Sequence, residues 1–409
     1  MIVTGSPTPF KISVPSSKIE NLNSKLAAAT FPSELQDAGW SMGSPLADVR
    51  RLTDHWHKHF SWRGAEEHLN SFPHFTVPIQ VPNFEELEIH FLHQRSEREN
   101  AIPLLFIHGW PGSFFEVLKL LPLLTDPEDP NIPAFHVVAP SLPGYAWSQY
   151  PSRKGFGLKQ HAETLHGVMR ACGYESGYVA QGGDWGGFLS RLVAKLYPES
   201  VKAVHTNFPV HTFPKLWRNP VSFAQAVAGI ALDKKTREDL AYTQKYLTEG
   251  DGYLKEQDTK PQTLGYGLTD SPVALLAWIY EKLHDWSDSY PWTDDEVCTW
   301  ISIYAFSREG PSASTRIYYE SAHPVGEGAV SRMDVINMYI PHVPLALAYF
   351  PGELARLPKC WAWSNGPVVQ QSTFDIGGHF AAFEVPELLA GDLRKLFAKG
   401  GCCEGLFDG

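Results

Sequence analysis

Four short apolar runs set the architecture of this chain: Leu104–Ile107, Phe135–Ala139, Tyr178–Gln181 and Val201–His205. The first three break off into turns rich in glycine or proline, reading HGWPGS, PSLPGY and GGDWGG. Runs this short, with no polar alternation, are the signature of strands buried on both faces. Between the second and third lies Leu158–Cys172, with Leu158, Ala162, Leu165 and Met169 at helical spacing along one face. Parallel neighbours cannot be joined by tight hairpins and need such crossovers. The alternation therefore predicts an α/β protein with a mostly parallel sheet covered by helices on both faces.

The flanking sequence has a different texture. Residues 1–90 are rich in proline, histidine and aromatics, with a helical stretch around Pro45–Phe60 and an unusual WRGAEEHLNSFPHF segment. Pro73, Pro78 and Pro82 punctuate its second half, so the stretch is expected to be an N-terminal meander laid over the rest. From 91 to 206 runs the first part of the core. Residues 207–335 are helical and aromatic, include SPVALLAWIYEKL, and read as a helical cap inserted between strands. Residues 336–409 complete the core, with strand pattern at Leu345–Phe350 and around Trp361–Ser364 and a final helix over Pro386–Ala398.

Composition matters chiefly for what it excludes. A net charge of -11 with no basic run argues against nucleic acid or an anionic membrane as partner. The 5 cysteines are scattered and include no CxxC pair, so neither a disulfide framework nor a zinc site is expected. MIVTGSPTPFKISVP lacks a basic start followed by an apolar stretch, and so does not read as a signal peptide. Val273–Tyr280 and Pro344–Phe350 are the most apolar windows, well short of the roughly 20 residues a bilayer requires. A cytoplasmic protein is expected.

Gly182-Gly183-Asp184-Trp185-Gly186-Gly187 joins a strand to a helix in the G-x-nucleophile-x-G arrangement of a nucleophile elbow. Gly182, Gly186 and Gly187 supply the small residues that so sharp a turn demands. The plainer alternative is an ordinary strand-to-helix turn with Asp184 as helix cap. An elbow carboxylate selects its chemistry through the adduct it leaves. Displacement at saturated carbon by serine would leave an ether that water does not readily cleave. Aspartate leaves an ester, whose carbonyl water can attack.

The second step needs a base. His379 lies in DIGGHF, after the last expected strand, in the chain order nucleophile, acid, histidine. An acid should hold its other ring nitrogen. Glu353, in FPGE directly after the Leu345–Phe350 run, is preferred to Asp375, which lies four residues from His379 in the same loop. The Trp185 and Trp110 backbone N–H groups are candidates for the oxyanion hole, since Pro111 has none to give. His108 reads as structural.

The ordered set of WRGAEEHLNSFPHF, HGWPGS, PSLPGY, QGGDWG, SPVALLAWIYEK, FPGE and GGHFAAFEVP resembles the microsomal-type epoxide hydrolase family in a form without a membrane anchor. The resemblance covers nearly the whole chain and implies the α/β-hydrolase fold. It also implies an N-terminal meander bracing core and cap, and a homodimer. It further implies two cap tyrosines that hydrogen-bond the epoxide oxygen. Tyr253, in EGDGYLKEQ, matches the first; the R-x-Y-x-E pattern selects Tyr318 for the second, with Tyr319 adjacent. The implied reaction converts a small-molecule epoxide to a vicinal diol through an ester on Asp184, with no metal or organic cofactor.

Three rivals remain at this level. A haloalkane dehalogenase shares the triad, but its halide leaves without a proton and would not need the tyrosines. A cyclase would let an internal hydroxyl attack the epoxide. A catalytically dead binding protein would usually have lost part of the triad. Cap aromatics such as Trp278, Trp292 and Trp300 suggest bulky apolar epoxides.

Overall fold

The structure, a computed structural model, describes residues 3–407. Its centre is one ten-stranded sheet. The strands are β1 (Val3–Thr4), β2 (Thr8–Pro9), β3 (His74–Gln80), β4 (Leu87–Gln94), β5 (Ile102–Ile107), β6 (Phe135–Pro140), β7 (Tyr178–Gly182), β8 (Val201–Thr206), β9 (Leu345–Tyr349) and β10 (Val368–Thr373). They run in the order β1-β3-β4-β6-β5-β7-β8-β9-β10, with β2 also paired to β3. β5 to β10 are mutually parallel, whereas β1 to β4 form the antiparallel end. The architecture is the α/β-hydrolase fold, mostly parallel as expected.

Central strands are apolar throughout because neither face meets water. Leu104, Leu105 and Ile107 of β5 are fully buried, and β5 lies between β6 and β7. The helices Leu158–Ala171 and Asp184–Leu196 pack together on the sheet, and Leu120–Thr125 pairs with the final helix Pro386–Phe397.

One expected strand is absent. Trp361–Ser364 belongs to a 3-10 helix, Lys359–Ser364, and the last strand is Val368–Thr373. The W-A-W alternation imitated a strand, but Pro358 and Asn365 close i→i+3 turns around it: Trp361 N–H donates to Pro358 O and Asn365 N–H to Ala362 O. The real edge strand, VVQQST, pairs with β9 alone and carries the polar residues an exposed edge tolerates.

The WRGAEEHLNSFPHF segment is a set of clamps. Glu66 accepts hydrogen bonds from Val14 N–H (2.6 Å) and the Trp62 indole (3.2 Å). Asn70 bonds the backbone of Ile12 in both directions, at 2.8 and 2.9 Å. His74 links Leu69 O to His90, which reaches on to Ser141. Burial pushes His74 down to about 4 and His90 well below its ordinary range, so this chain of imidazoles is uncharged at neutral pH. Within residues 1–90, then, the first part is strapped to the sheet and His74–Gln80 is part of it. The Leu46–Lys58 helix braces the cap, with the Trp56 indole donating to Ser302 at 2.9 Å and Arg51 paired with Asp294.

The cap helices lie between β8 and β9 in the chain. Among the described residues, no helix is long and apolar enough to cross a membrane, no group of three or more His, Cys, Asp or Glu could hold a metal ion, and the cysteines are free.

Candidate active site

Asp184 stands at the end of β7, where the chain turns into the Asp184–Leu196 helix with Asp184 itself at φ +48°. A non-glycine residue in the left-handed region is uncommon and costs on the order of 1–3 kcal/mol, sustained only where the surroundings dictate it. They do so here. A Cβ on Gly186 would lie 1.9 Å from Ile107 O of the neighbouring strand, and one on Gly109 would lie 2.3 Å from the Asp184 side chain. The elbow and the HGWPG loop thus interlock at van der Waals range, and only glycine permits it.

The carboxylate of Asp184 accepts a 2.8 Å hydrogen bond at Oδ1 from Trp110 N–H, while Trp185 N–H also supports its charged form. These are the two backbone donors expected from the sequence. His379 Nε2 lies 3.6 Å from Asp184 Oδ2, and His379 Nδ1 is 2.7 Å from Glu353 Oε1. Asp184, His379 and Glu353 are therefore brought together in one line. Asp375 is exposed on the far side of its loop, and the acid facing the imidazole is Glu353.

The two loops that carry Glu353 and His379 are stitched to each other. Gly352 N–H donates to Gly377 O at 3.0 Å, and Gly352 and Gly378 form a parallel bridge. The cap joins this junction: His379 N–H donates to Trp286 O at 2.8 Å, and Gly377 N–H to Asp288 Oδ2 at 2.9 Å. Glu384 closes it by accepting from both Asp288 N–H and Phe380 N–H. Sequence reasoning missed Trp286, Asp288 and Glu384; the spacing of GGHFAAFE gives no sign that its glutamate folds back on the loop.

Electrostatics divide the labour. Burial raises the pKa of Asp184, opposed by the charge of His379 and by the two backbone N–H groups. Burial would lower His379, but the charge and hydrogen bond of Glu353, with Asp184 and Glu116, outweigh it and raise His379 to about 9. At neutral pH His379 is thus an imidazolium, facing the Asp184 carboxyl. Glu116, also unforeseen, lines the same cavity, and burial pushes it up to about 8, so it is mostly neutral at pH 7. His108 holds a structural place: its Nδ1 is 2.9 Å from Gly109 O, and Nε2 accepts from Leu142 N–H.

Both cap tyrosines reach this site. Tyr253 stacks on Trp110 with centroids 5.3 Å apart, and Tyr318 meets Trp185 edge-on at 4.8 Å. Their two rings are 6.1 Å apart. Tyr319 instead stacks on His323 and is half-buried, so of the two neighbours it is Tyr318 that packs on Trp185. The expected tryptophans behave otherwise. Trp300 and Trp292 pack around Phe383, and the Trp300 indole donates to Pro111 O, bracing the HGWPG loop from behind. Trp278 points its indole at Gln257. The aromatic side chains lining the cavity at the carboxylate are Phe106, Trp110 and Phe380. The cavity left beside Asp184 is only ≈ 10 Å³, about one water molecule.

Comparison with known proteins identifies the family and the fold. The family described as Epoxide hydrolase N terminus matches residues 7–117, and the alpha/beta hydrolase fold matches residues 102–294. Epoxide hydrolase 1 of Sus scrofa is 34% identical over 415 residues, covering 95% of this chain and 87% of its own. The solved structure of Aspergillus niger epoxide hydrolase superposes with a TM-score of 0.81 at 33% identity, covering 95% of each chain. Juvenile hormone epoxide hydrolase from Bombyx mori superposes at 0.83 with 29% identity, covering 97% of this chain and 94% of that one.

Proposed function

The chain belongs to the epoxide hydrolase family and is an epoxide hydrolase, and from that premise we propose that Asp184 opens the epoxide by direct attack. One Asp184 carboxylate oxygen attacks a ring carbon from the core side while Tyr253 and Tyr318 donate hydrogen bonds to the ring oxygen from the cap side. The carbon–oxygen bond breaks, the oxygen takes a tyrosine proton, and a hydroxyalkyl ester remains on Asp184. General acid assistance of this kind typically contributes about 10²–10⁴-fold.

The ester changes the electrostatics of its neighbour. His379 is held near 9 partly by the charge of Asp184, and esterification removes that charge. The pKa of His379 then falls, its proton passes to solvent, and a neutral imidazole is left at the moment a base is needed. His379 takes a proton from water, which attacks the ester carbonyl, and Glu353 stabilises the imidazolium. Trp110 N–H and Trp185 N–H face the oxyanion, each worth about 3–4 kcal/mol in comparable sites. The tetrahedral intermediate collapses, the alkoxide takes the remaining water proton and leaves as the diol, the proton on His379 repays the tyrosine, and Asp184 is regenerated as carboxylate.

The observation that carries this reading is the position of Asp184: a carboxylate fixed between a backbone donor at 2.8 Å and a histidine at 3.6 Å, with the rings of Tyr253 and Tyr318 packed on Trp110 and Trp185 beside it. A single turnover in ¹⁸O-water tests it. The first diol should carry unlabelled oxygen from the protein, and the label should enter Asp184 for delivery in later turnovers. Label in the first diol would mean that water attacks the epoxide directly and the reading fails.

A further inference from the structure

Among the described residues, the hydroxyl of Tyr253 has one hydrogen-bond partner, the hydroxyl of Tyr246 at 2.9 Å. Tyr246 begins a single π-helical turn, Tyr246–Gly250, between the Lys234–Lys245 helix and the Gly252–Thr259 helix that carries Tyr253. In an unbroken α-helix, residues seven apart are separated by about 10.5 Å along the axis. Here the irregular turn brings two such side chains into contact at their tips, and π turns recur at functional positions.

The bond is not needed to hold the Tyr253 ring. That ring already stacks on Trp110, packs 5.0 Å from Trp286 and lies under the Lys282 ammonium at 5.0 Å. Burial raises the pKa of both phenols, so each keeps its proton, and each has only one to give. Either hydroxyl can be the donor while the site is empty. Once Tyr253 directs its proton at a ring oxygen, the bond between the tyrosines can run only from Tyr246 to Tyr253.

We propose that Tyr246 is a positioning residue for ring opening: its hydroxyl aims the Tyr253 O–H at the epoxide and stabilises the Tyr253 oxyanion. This rests on the reading of Tyr253 as a proton donor. In that step the Asp184–carbon bond forms, the carbon–oxygen bond breaks, and the ring oxygen takes the Tyr253 proton. Tyr246 keeps its own proton throughout, and the proton that His379 draws from water makes good the one lost when the diol leaves.

The test is a double-mutant cycle on single-turnover kinetics with an aryl epoxide, resolving ester formation from ester hydrolysis. Tyr246→Phe should slow ester formation by roughly 3–10-fold, the range of one hydrogen bond, and leave hydrolysis unchanged. In a Tyr253→Phe background the same change should cost nothing further. Epoxides with electron-withdrawing substituents, whose oxygen needs less protonation, should show a smaller loss. Equal losses in both backgrounds, or an equal loss in hydrolysis, would assign Tyr246 to packing and overturn the proposal. No loss on Tyr246→Phe while Tyr253→Phe is slow would overturn it too, leaving Tyr253 as donor. Full-rate ester formation by Tyr253→Phe would instead remove the reading on which it rests.

Discussion

The two sides of the active-site cavity are built on different principles. On the core side, Asp184 and its partners are fixed by backbone: a parallel sheet, a left-handed residue, interlocked glycines and N–H donors. On the cap side, Tyr253 and Tyr318 are fixed by side chains packing on side chains, chiefly against Trp110, Trp185 and Trp286. Backbone geometry has discrete solutions and fails abruptly when broken. Aromatic packing is made of many small contacts and yields by degrees. The nucleophile should therefore respond to substitution as a switch, and the acid side as a graded control.

The sharpest challenge to this division lies on the core side. Asp184→Asn should lower turnover by at least about 10⁴-fold, as loss of a nucleophile does elsewhere. His379→Gln should form one ester and stop, with intact-mass spectrometry finding the protein heavier by one substrate. A folded His379→Gln variant with no adduct would break the scheme.

Next comes the cap. Tyr253→Phe and Tyr318→Phe should each slow ester formation, and the pair together by about 10²–10⁴-fold, with ester hydrolysis preserved. If the double variant were as abrupt a loss as Asp184→Asn in both steps, the contrast between the two sides would be wrong.

The finest test is the pH dependence. In the free enzyme His379 should lose its proton near 9, a value that includes the support of Asp184. Ester hydrolysis requires neutral His379, so its rate should rise with pH and level off above the imidazole pKa. Without the Asp184 charge that midpoint should fall below 9, by about 1–3 units. Stopped-flow fluorescence of the nearby tryptophans can follow the hydrolysis step alone. The same midpoint in both states would show that Asp184 does not support the imidazolium.

The same division explains what was legible in the sequence. The elbow, the strand ends and the positions of Glu353 and His379 arise from local patterns, because a strand that ends at the sheet edge delivers the next few residues to the site. Tyr253 and Tyr318 have no such local mark. Their contacts with Trp110 and Trp185 span long stretches of chain, and only likeness to a family singled them out. Trp361–Ser364 misled because its alternation is local while the pairing of β10 is not. Glu116 was hidden for a related reason. Nothing in SFFEVLKLL marks it, and only the folded loop turns it toward Asp184.

The seam at Trp286 and Asp288 ties any movement of the lid to the second chemical step. Because the lid grips the very loop that bears the proton acceptor, lifting it on that side would pull His379 away from Glu353. Changes at residues 286–288 should accordingly alter the lifetime of the bound ester more than the rate at which it forms.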